Sequence, residues 1–118
     1  MQKQEIIDIE NIDILNKARE MKSADYRLGQ IMALTDLTLM YCFVKDENLL
    51  VLRCSTDDSS QVESISSVYS YAYMYENEIK ELFGINIVNI NLDFDGNFYE
   101  TSVKMPFRAA ESKVKDDE

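Results

Sequence analysis

The sequence predicts a single two-layer α+β domain, in which two main helices lie on a mixed β-sheet. Three observations support this fold class. Alternating apolar residues between residues 26 and 55 indicate strands, and apolar residues spaced by three and four on either side of them indicate helices. The 118-residue length suits one domain, and the 46% share of hydrophobic residues is sufficient for a modest packed core.

An apolar stripe predicts the first helix near the start of the chain. Asn11 or Asp13 can cap this helix, and it runs to about Lys22. The stripe consists of Ile14, Leu15, Ala18 and Met21. Residues 5–9 alternate weakly between polar and apolar, and they are predicted to form a short first strand before the helix.

Three further strands are predicted in the middle of the chain, at residues 26–34, 37–45 and 49–55. Within residues 37–45, apolar side chains occupy both alternating sets. One set is Leu39, Tyr41 and Phe43, and the other is Met40, Cys42 and Val44. We therefore expect this strand to be covered on both faces, with the centre of the sheet in residues 37–55.

The two cysteines fall in the strands on either side of a KDEN turn, so a hairpin register can be assigned. With the loop at residues 46–47, Cys42 faces Val51 and Cys54 faces Leu39, which places the two thiols on opposite faces of the sheet. A shift by one residue would place them on one face, although still offset along the strands. In neither register do we expect a disulfide, and we interpret both as buried core cysteines of a reducing compartment.

A long second helix is predicted to begin at Ser60 or Ser64 and to end at Phe83, where Gly84 stops it. After it, residues 85–92 are predicted to form a strand. Asp95 and Gly96 are predicted to form a turn, and residues 98–103 are predicted to form a short edge strand. The domain then extends over residues 1–107, and residues 108–118 are predicted to be a mobile acidic tail because they have little to bury.

Glu76 stands out on this second helix. On a helical wheel drawn from Ile65 at about 100° per residue, Glu76 falls at about 20°, inside the apolar arc. Glu78 flanks the arc and Glu81 lies opposite it, so both are expected to lie toward solvent. The apolar arc consists of Val68, Tyr69, Ala72, Tyr75, Ile79, Leu82 and Phe83.

A carboxylate at the apolar position of Glu76 has two interpretations, because burying it without a partner is costly. One is an internal contact with a basic residue such as Arg27, Arg53 or Lys80. The other is that this face of the helix docks another chain.

The composition excludes several functional classes. Twelve basic and 22 acidic residues give a net charge of −10, which disfavours nucleic acid and anionic lipid surfaces as partners. There is no histidine, CxxC motif or glycine-rich phosphate loop, so we expect no catalytic residue, metal or cofactor. No apolar run reaches the ~18 residues of a membrane span, and the first ten residues lack the apolar core of a signal peptide. These features are typical of a cytoplasmic chain.

Residues 64–85, SISSVYSYAYMYENEIKELFGI, resemble a pattern of the C subunit family of NADH:quinone oxidoreductase (respiratory complex I). That pattern reads approximately S-[IV]-T-x-x-[FW]-x-x-A-x-[WF]-x-E-R-E-x-x-D-[ML]-F-G-I. Asn77 stands where the family has Arg, and Glu81 stands where it has Asp. The matching residues are Ser64, Ile65, Ala72, Glu76, Glu78, Leu82, Phe83, Gly84 and Ile85.

The chain is short and lacks the G-H-P-D-L-R-R segment that follows this pattern in the family. In both respects it is more similar to the D subunit of Ech-type membrane-bound nickel-iron hydrogenases. The resemblance implies a cofactor-free peripheral subunit on the inner face of the cell membrane, which packs on the large subunit of a hydrogenase or of complex I, beside the small subunit. The docking residues that it implies are Glu76, Glu78, Glu81, Phe83, Gly84 and Ile85.

The two lines of reasoning give one hypothesis for Glu76. We expect it to be at least partly buried and held by a basic or hydroxyl partner, so that it orients the end of the helix toward the large subunit. Two other functional classes remain open. One is a stand-alone acidic interaction module, and the other is a small enzyme that uses Glu76 and tyrosine side chains in a concave pocket.

Overall fold

The computed structural model describes residues 3–92, which fold around a four-stranded sheet. Its strands are β1 (Lys3–Asp8), β2 (Arg27–Ala33), β3 (Thr38–Lys45) and β4 (Asn48–Ser55), and they lie in the order β1-β4-β3-β2. β1 is parallel to β4, whereas the other two pairs are antiparallel. The sheet is therefore mixed, as predicted.

Two helices pack on this sheet, which confirms the α+β fold class. α1 (Ile14–Ser23) follows a single 3-10 turn at Asn11–Asp13. Asp13 is the residue before α1, but its side chain makes no capping hydrogen bond. α2 (Ala72–Phe83) ends at Gly84, whose φ of 73° is a left-handed conformation that costs glycine little.

The β3–β4 hairpin has the predicted register. Cys42 pairs with Val51 and Leu39 pairs with Cys54, across a loop at residues 46–47. The two cysteines therefore lie on opposite faces of the sheet, and both are free thiols. Burial raises the pKa of both thiols, that of Cys54 to about 11, so neither has the thiolate character of a reactive cysteine.

The side chains on the two faces of the sheet differ in how deeply they are buried. On one face, Leu39, Tyr41 and Phe43 are completely buried and join a single apolar cluster with residues of both helices. On the other face, Met40 and Val44 are only half-buried. Cys42 and its pair partner Val51 are buried on this face, so the expectation that β3 is covered on both faces is confirmed only in part within the described residues. Both helices pack into the cluster on the first face.

The predicted start of the second helix is also wrong. Residues 62–63 form a short strand, β5 (Val62–Glu63), which is parallel to β6 (Ile87–Val88) after α2. Between β5 and α2 the chain forms turns, and the hydroxyls of Ser64 and Ser66 lie 2.7 Å apart. Serine side chains that bond locally in this way compete with a helix, which explains why α2 starts at Ala72.

The predicted strand at residues 85–92 is reduced to the two residues of β6. Asn89 has a φ of 65°, which is incompatible with extended backbone and ends the strand directly after Val88. The predicted turn at Asp95 and Gly96, the edge strand at residues 98–103 and the tail at residues 108–118 lie outside the described residues.

Candidate functional site

Glu76 is completely buried on the inner face of α2. Its Oε1 accepts a hydrogen bond of 2.6 Å from the hydroxyl of Ser64, and its Oε2 accepts one of 2.8 Å from the backbone N–H of Ile65. The expectation of burial with a hydroxyl partner is therefore confirmed. Arg53, one of the basic candidates, pairs instead with Asp8 at 2.6 Å.

The contacts of Glu76 extend into a small network, which we call the Glu76 network (Ser64, Ile65, Ser66, Glu76 and Asn91). The backbone N–H of Ser66 donates to the Ser64 hydroxyl oxygen at 2.9 Å, and the Ser66 hydroxyl oxygen accepts from the backbone N–H of Asn91 at 2.8 Å. One carboxylate thus connects α2 with the segment before it and the segment after it. Ser64, Ile65 and Ser66 are buried as well, whereas Asn91 is exposed, so the network lies inside the domain except at Asn91.

The electrostatics of this network follow from its burial. Burial raises the pKa of Glu76 to about 7, although the hydrogen bonds from Ser64 and Ile65 act in the opposite direction. The negative charge of Glu76 also acts on the side chain of Tyr41. Its pKa is raised well above the ordinary value, first by burial and then by Glu76, and its hydroxyl has no hydrogen-bond partner in the part of the chain that the structure describes. Tyr41 is therefore a neutral side chain of the core.

Glu81 does not lie toward solvent, and the expectation that it does is wrong. Only 4% of it is exposed, and within residues 3–92 neither carboxylate oxygen has a hydrogen-bond partner. Glu81 lies one turn after Asn77, whose side-chain amide donates to the carbonyl of Leu92 at 2.7 Å. The chain after β6 therefore returns along the side of α2 that the helical wheel assigned to solvent. Glu78 is half-buried.

The end of α2 contains the other predicted docking residues. Phe83 and Gly84 are half-buried, whereas Ile85 is only 1% exposed and belongs to the core. Phe83 also forms one wall of an open groove of about 630 Å³, which we call the Phe83 groove. Its lining residues are Ala33, Leu34, Thr35, Asp36 and Phe83.

The six predicted docking residues are therefore separated into two groups. Those that are buried are Glu76, Glu81 and Ile85. Those that retain partial exposure are Glu78, Phe83 and Gly84. Only the second group has surface that a partner could contact directly, and the turn between β2 and β3 that faces Phe83 was not part of the predicted site.

A set of tyrosines that the sequence reasoning also missed contacts the backbone of β2. The Tyr71 hydroxyl donates to the carbonyl of Leu28 at 2.9 Å and accepts from its N–H at 3.1 Å. The Tyr75 hydroxyl donates to the carbonyl of Gly29 at 3.0 Å. Tyr71 and Tyr75 are four residues apart at the start of α2, and this helical spacing could have indicated that both lie on the same face.

Comparison with known proteins identifies the family. Residues 7–110 match the sequence model of the respiratory-chain NADH dehydrogenase 30 kDa subunit. The chain belongs to this family. The predicted resemblance to the C subunit family of complex I is thus confirmed, and the matched residues include the Glu76 network and the Phe83 groove. The closer similarity to the Ech-type D subunit remains a prediction.

One solved structure with a similar fold is a chain of the membrane-bound sulfane sulfur reductase (MBS), an archaeal respiratory membrane complex. The TM-score is 0.62 and the sequence identity is 16%, so this similarity concerns the fold alone. It covers 80% of this chain and 63% of that one, so our chain spans less than two thirds of its length. No curated protein matches the sequence significantly.

Two properties of residues 3–92 bear on the kind of site that they can form. None of their helices combines the length and the apolar character needed to cross a membrane. Their cysteine, aspartate and glutamate side chains form no group of three or more that could hold a metal ion. That the whole chain binds no cofactor remains a prediction.

Proposed function

We propose that this protein is a non-catalytic peripheral subunit of a membrane-associated electron-transfer complex of the hydrogenase or NADH:quinone oxidoreductase kind. It docks onto the large catalytic subunit, beside the small subunit, on the cytoplasmic face of the membrane. The observation that carries this proposal is the family match over residues 7–110. The fold shared with a chain of an archaeal respiratory membrane complex supports it.

The geometry of Glu76 supports a structural role over a catalytic one. A general acid or base has to reach the atom to which it transfers a proton. Glu76 has no exposed surface, and both of its oxygens accept hydrogen bonds from residues of the same chain. Its contacts hold the turn at residues 64–66 and α2 in a fixed relation, which is what a docking element requires.

The partly exposed residues at the end of α2 are the best candidates for direct contact with the large subunit. Glu78, Phe83 and Gly84 retain surface, and Phe83 adds an apolar wall next to Leu34. In this proposal Glu76, Glu81 and Ile85 act from within, by fixing the helix and the turn that follows it. The net charge of −10 favours a partner whose facing surface is basic.

A co-purification experiment tests the proposal. The full-length chain, with an affinity tag, is expressed in its source cells and extracted from membranes in mild detergent. We expect a homologue of the large subunit and the adjacent small subunit to co-purify with it in fixed stoichiometry. Recovery of a well-folded monomer without any subunit of such a complex would instead favour a stand-alone interaction module.

The absence of a cofactor can be tested on the chain produced alone. We expect the pure chain to carry neither metal nor flavin, because its role in this proposal is to position other subunits. Elemental analysis and absorption spectroscopy measure both. Iron, zinc or flavin in stoichiometric amount would contradict the non-catalytic role.

A further inference from the structure

The Phe83 groove has the composition of the centre of a protein interface. Its walls are mainly apolar, and Leu34 is 44% exposed although it is a large hydrophobic residue. Thr35 and Asp36 provide a polar rim on the turn between β2 and β3. An apolar centre with a polar rim is the usual arrangement of a surface that receives a side chain of a partner.

The turn that forms one wall of the groove has a fixed backbone. The N–H of Leu37 donates to the carbonyl of Leu34 at 2.8 Å, and Leu37 has a φ of 68°, which is unusual for a residue with a side chain. Thr56 holds this conformation from the neighbouring chain segment. Its N–H and its hydroxyl donate to the Leu37 carbonyl at 3.2 Å and 2.6 Å.

The opposite wall is fixed by the end of α2. Gly84 closes the helix in a left-handed conformation, and its N–H donates to the carbonyl of Lys80 at 3.2 Å. Phe83 therefore has a defined position relative to the turn. Because both walls exist before binding, little conformational entropy has to be lost when a partner enters the groove.

Asp36 gives the rim of the groove its charge. Its Oδ1 accepts a hydrogen bond of 3.1 Å from the backbone N–H of Thr38, which orients the exposed carboxylate on the turn. A basic side chain next to this carboxylate is attracted and an acidic one is repelled, and the net charge of −10 adds to both effects. Charge complementarity therefore favours a lysine or arginine beside the side chain that fills the groove.

We propose that the Phe83 groove receives an apolar side chain from the large subunit of the complex, and that a lysine or arginine beside that side chain pairs with Asp36. The proposal rests on the docking function given above and states the chemistry of the docked segment. Ile12 offers a matched control, because it is 79% exposed but lines a different groove, with Leu15 and Ser60.

A photo-cross-linking experiment identifies the occupant. Benzoylphenylalanine replaces Leu34 or, as the control, Ile12 in the full-length chain, and native membranes are irradiated before the cross-linked peptides are sequenced. We expect the probe at Leu34 to label a peptide of the large subunit that has a lysine or arginine near the labelled residue, and the probe at Ile12 not to label it. Labelling of a second copy, of this chain's own residues 93–118, or of a peptide without a basic residue would overturn the proposal, as would no labelling.

Affinity measurements with substituted chains provide the second test. Leu34→Ser and Asp36→Lys are each expected to weaken binding to the isolated large subunit by about tenfold or more at ~0.15 M salt, whereas Ile12→Ser changes it less than about twofold. Circular dichroism checks that each variant is folded. If the wild type binds and all three variants bind equally well, the groove is not the docking site, although the proposed function stands. If the wild-type chain binds no subunit, both proposals fail.

Discussion

The Glu76 network and the Phe83 groove each contain one residue of α2 that belongs to the family pattern, and the two residues differ in burial. In the network, a charged residue is sealed inside the domain and all of its partners come from this chain. In the groove, Leu34 and Phe83 are apolar yet retain exposed surface. A family pattern can thus combine residues that build the fold with residues that face outward, and only burial separates the two.

The largest effect is expected from removing the carboxylate of the network. Glu76→Ala leaves the Ile65 N–H buried without an acceptor, removes one of the two acceptors near the Ser64 hydroxyl and opens a cavity, so we expect a loss of about 3–5 kcal/mol in the free energy of unfolding. Urea denaturation of the full chain measures it. Glu20→Ala is the control, because Glu20 is 62% exposed in its pair with Lys17 and should cost under about 0.5 kcal/mol. Equal effects of the two changes would mean that Glu76 is not a structural anchor.

The second effect is a dependence of stability on pH that originates in the network. The pKa of Glu76 is about 7 in the folded chain, above its ordinary value of 4.5, so the folded chain binds this proton more tightly than the unfolded chain. The stability that this group contributes is present in full below pH 4.5 and is lost as the pH rises through 7, by about 3 kcal/mol in total.

The matched variant for this prediction is Glu76→Gln, which does not titrate. Since the chain has no histidine, the α-amino group is the only other group with an ordinary pKa that titrates between about pH 5 and 8. It is common to both proteins, so the difference between their slopes can be assigned to Glu76. We expect the urea midpoint of the wild type to fall across this range and that of Glu76→Gln to remain nearly flat. Parallel slopes in the two proteins would contradict the assignment.

A smaller effect is expected from the hydroxyl that contacts Glu76. Ser64→Ala removes the 2.6 Å hydrogen bond to Oε1 and the acceptor for the Ser66 N–H, and it should cost about 1–2 kcal/mol. Ser67→Ala is the control, since Ser67 is exposed three residues further along and should cost under about 0.5 kcal/mol. The same urea titration compares them, and a neutral Ser64→Ala would limit the network to the backbone contact with Ile65.

The smallest effect on stability is expected in the groove. Leu34→Ser removes a side chain that is 44% exposed, so the free energy of unfolding should change by under about 0.5 kcal/mol although binding to the large subunit is expected to weaken by about tenfold or more. Thermal unfolding measures the stability term. A change as large as that of Glu76→Ala would mean that Leu34 belongs to the core and that the contrast between network and groove does not hold.

The parts of the fold that the sequence predicted correctly depend on local patterns. The β3–β4 register follows from the period of two and from a two-residue loop, and the end of α2 follows from Gly84. The inward position of Glu76 was also correct, because the residues that define it, from Ala72 to Phe83, all lie within the true helix.

The errors have a common cause in contacts between residues distant in sequence. The Ser64 hydroxyl is hydrogen-bonded to Glu76, and the Ser66 hydroxyl is hydrogen-bonded to Asn91. The segment predicted to begin the second helix is therefore held in turns. Glu81 is covered on a side of α2 where the amide of Asn77 meets the carbonyl of Leu92. A helical wheel shows only positions within one helix, so it cannot show contacts with residues outside that helix. The Phe83 groove was missed for the same reason, because its two walls come from residues about fifty positions apart.

The tyrosine hydroxyls along β2 have a consequence for how the protein behaves at high concentration. Among residues 3–92, β2 is an edge strand of the sheet, and the unpaired N–H and C=O groups of such an edge are a template on which another molecule can add a strand. Tyr71 occupies both backbone groups of Leu28, and Tyr75 occupies the carbonyl of Gly29. The start of this edge, at Leu28 and Gly29, is therefore blocked against intermolecular strand addition, which lowers the tendency of the chain to associate through β2.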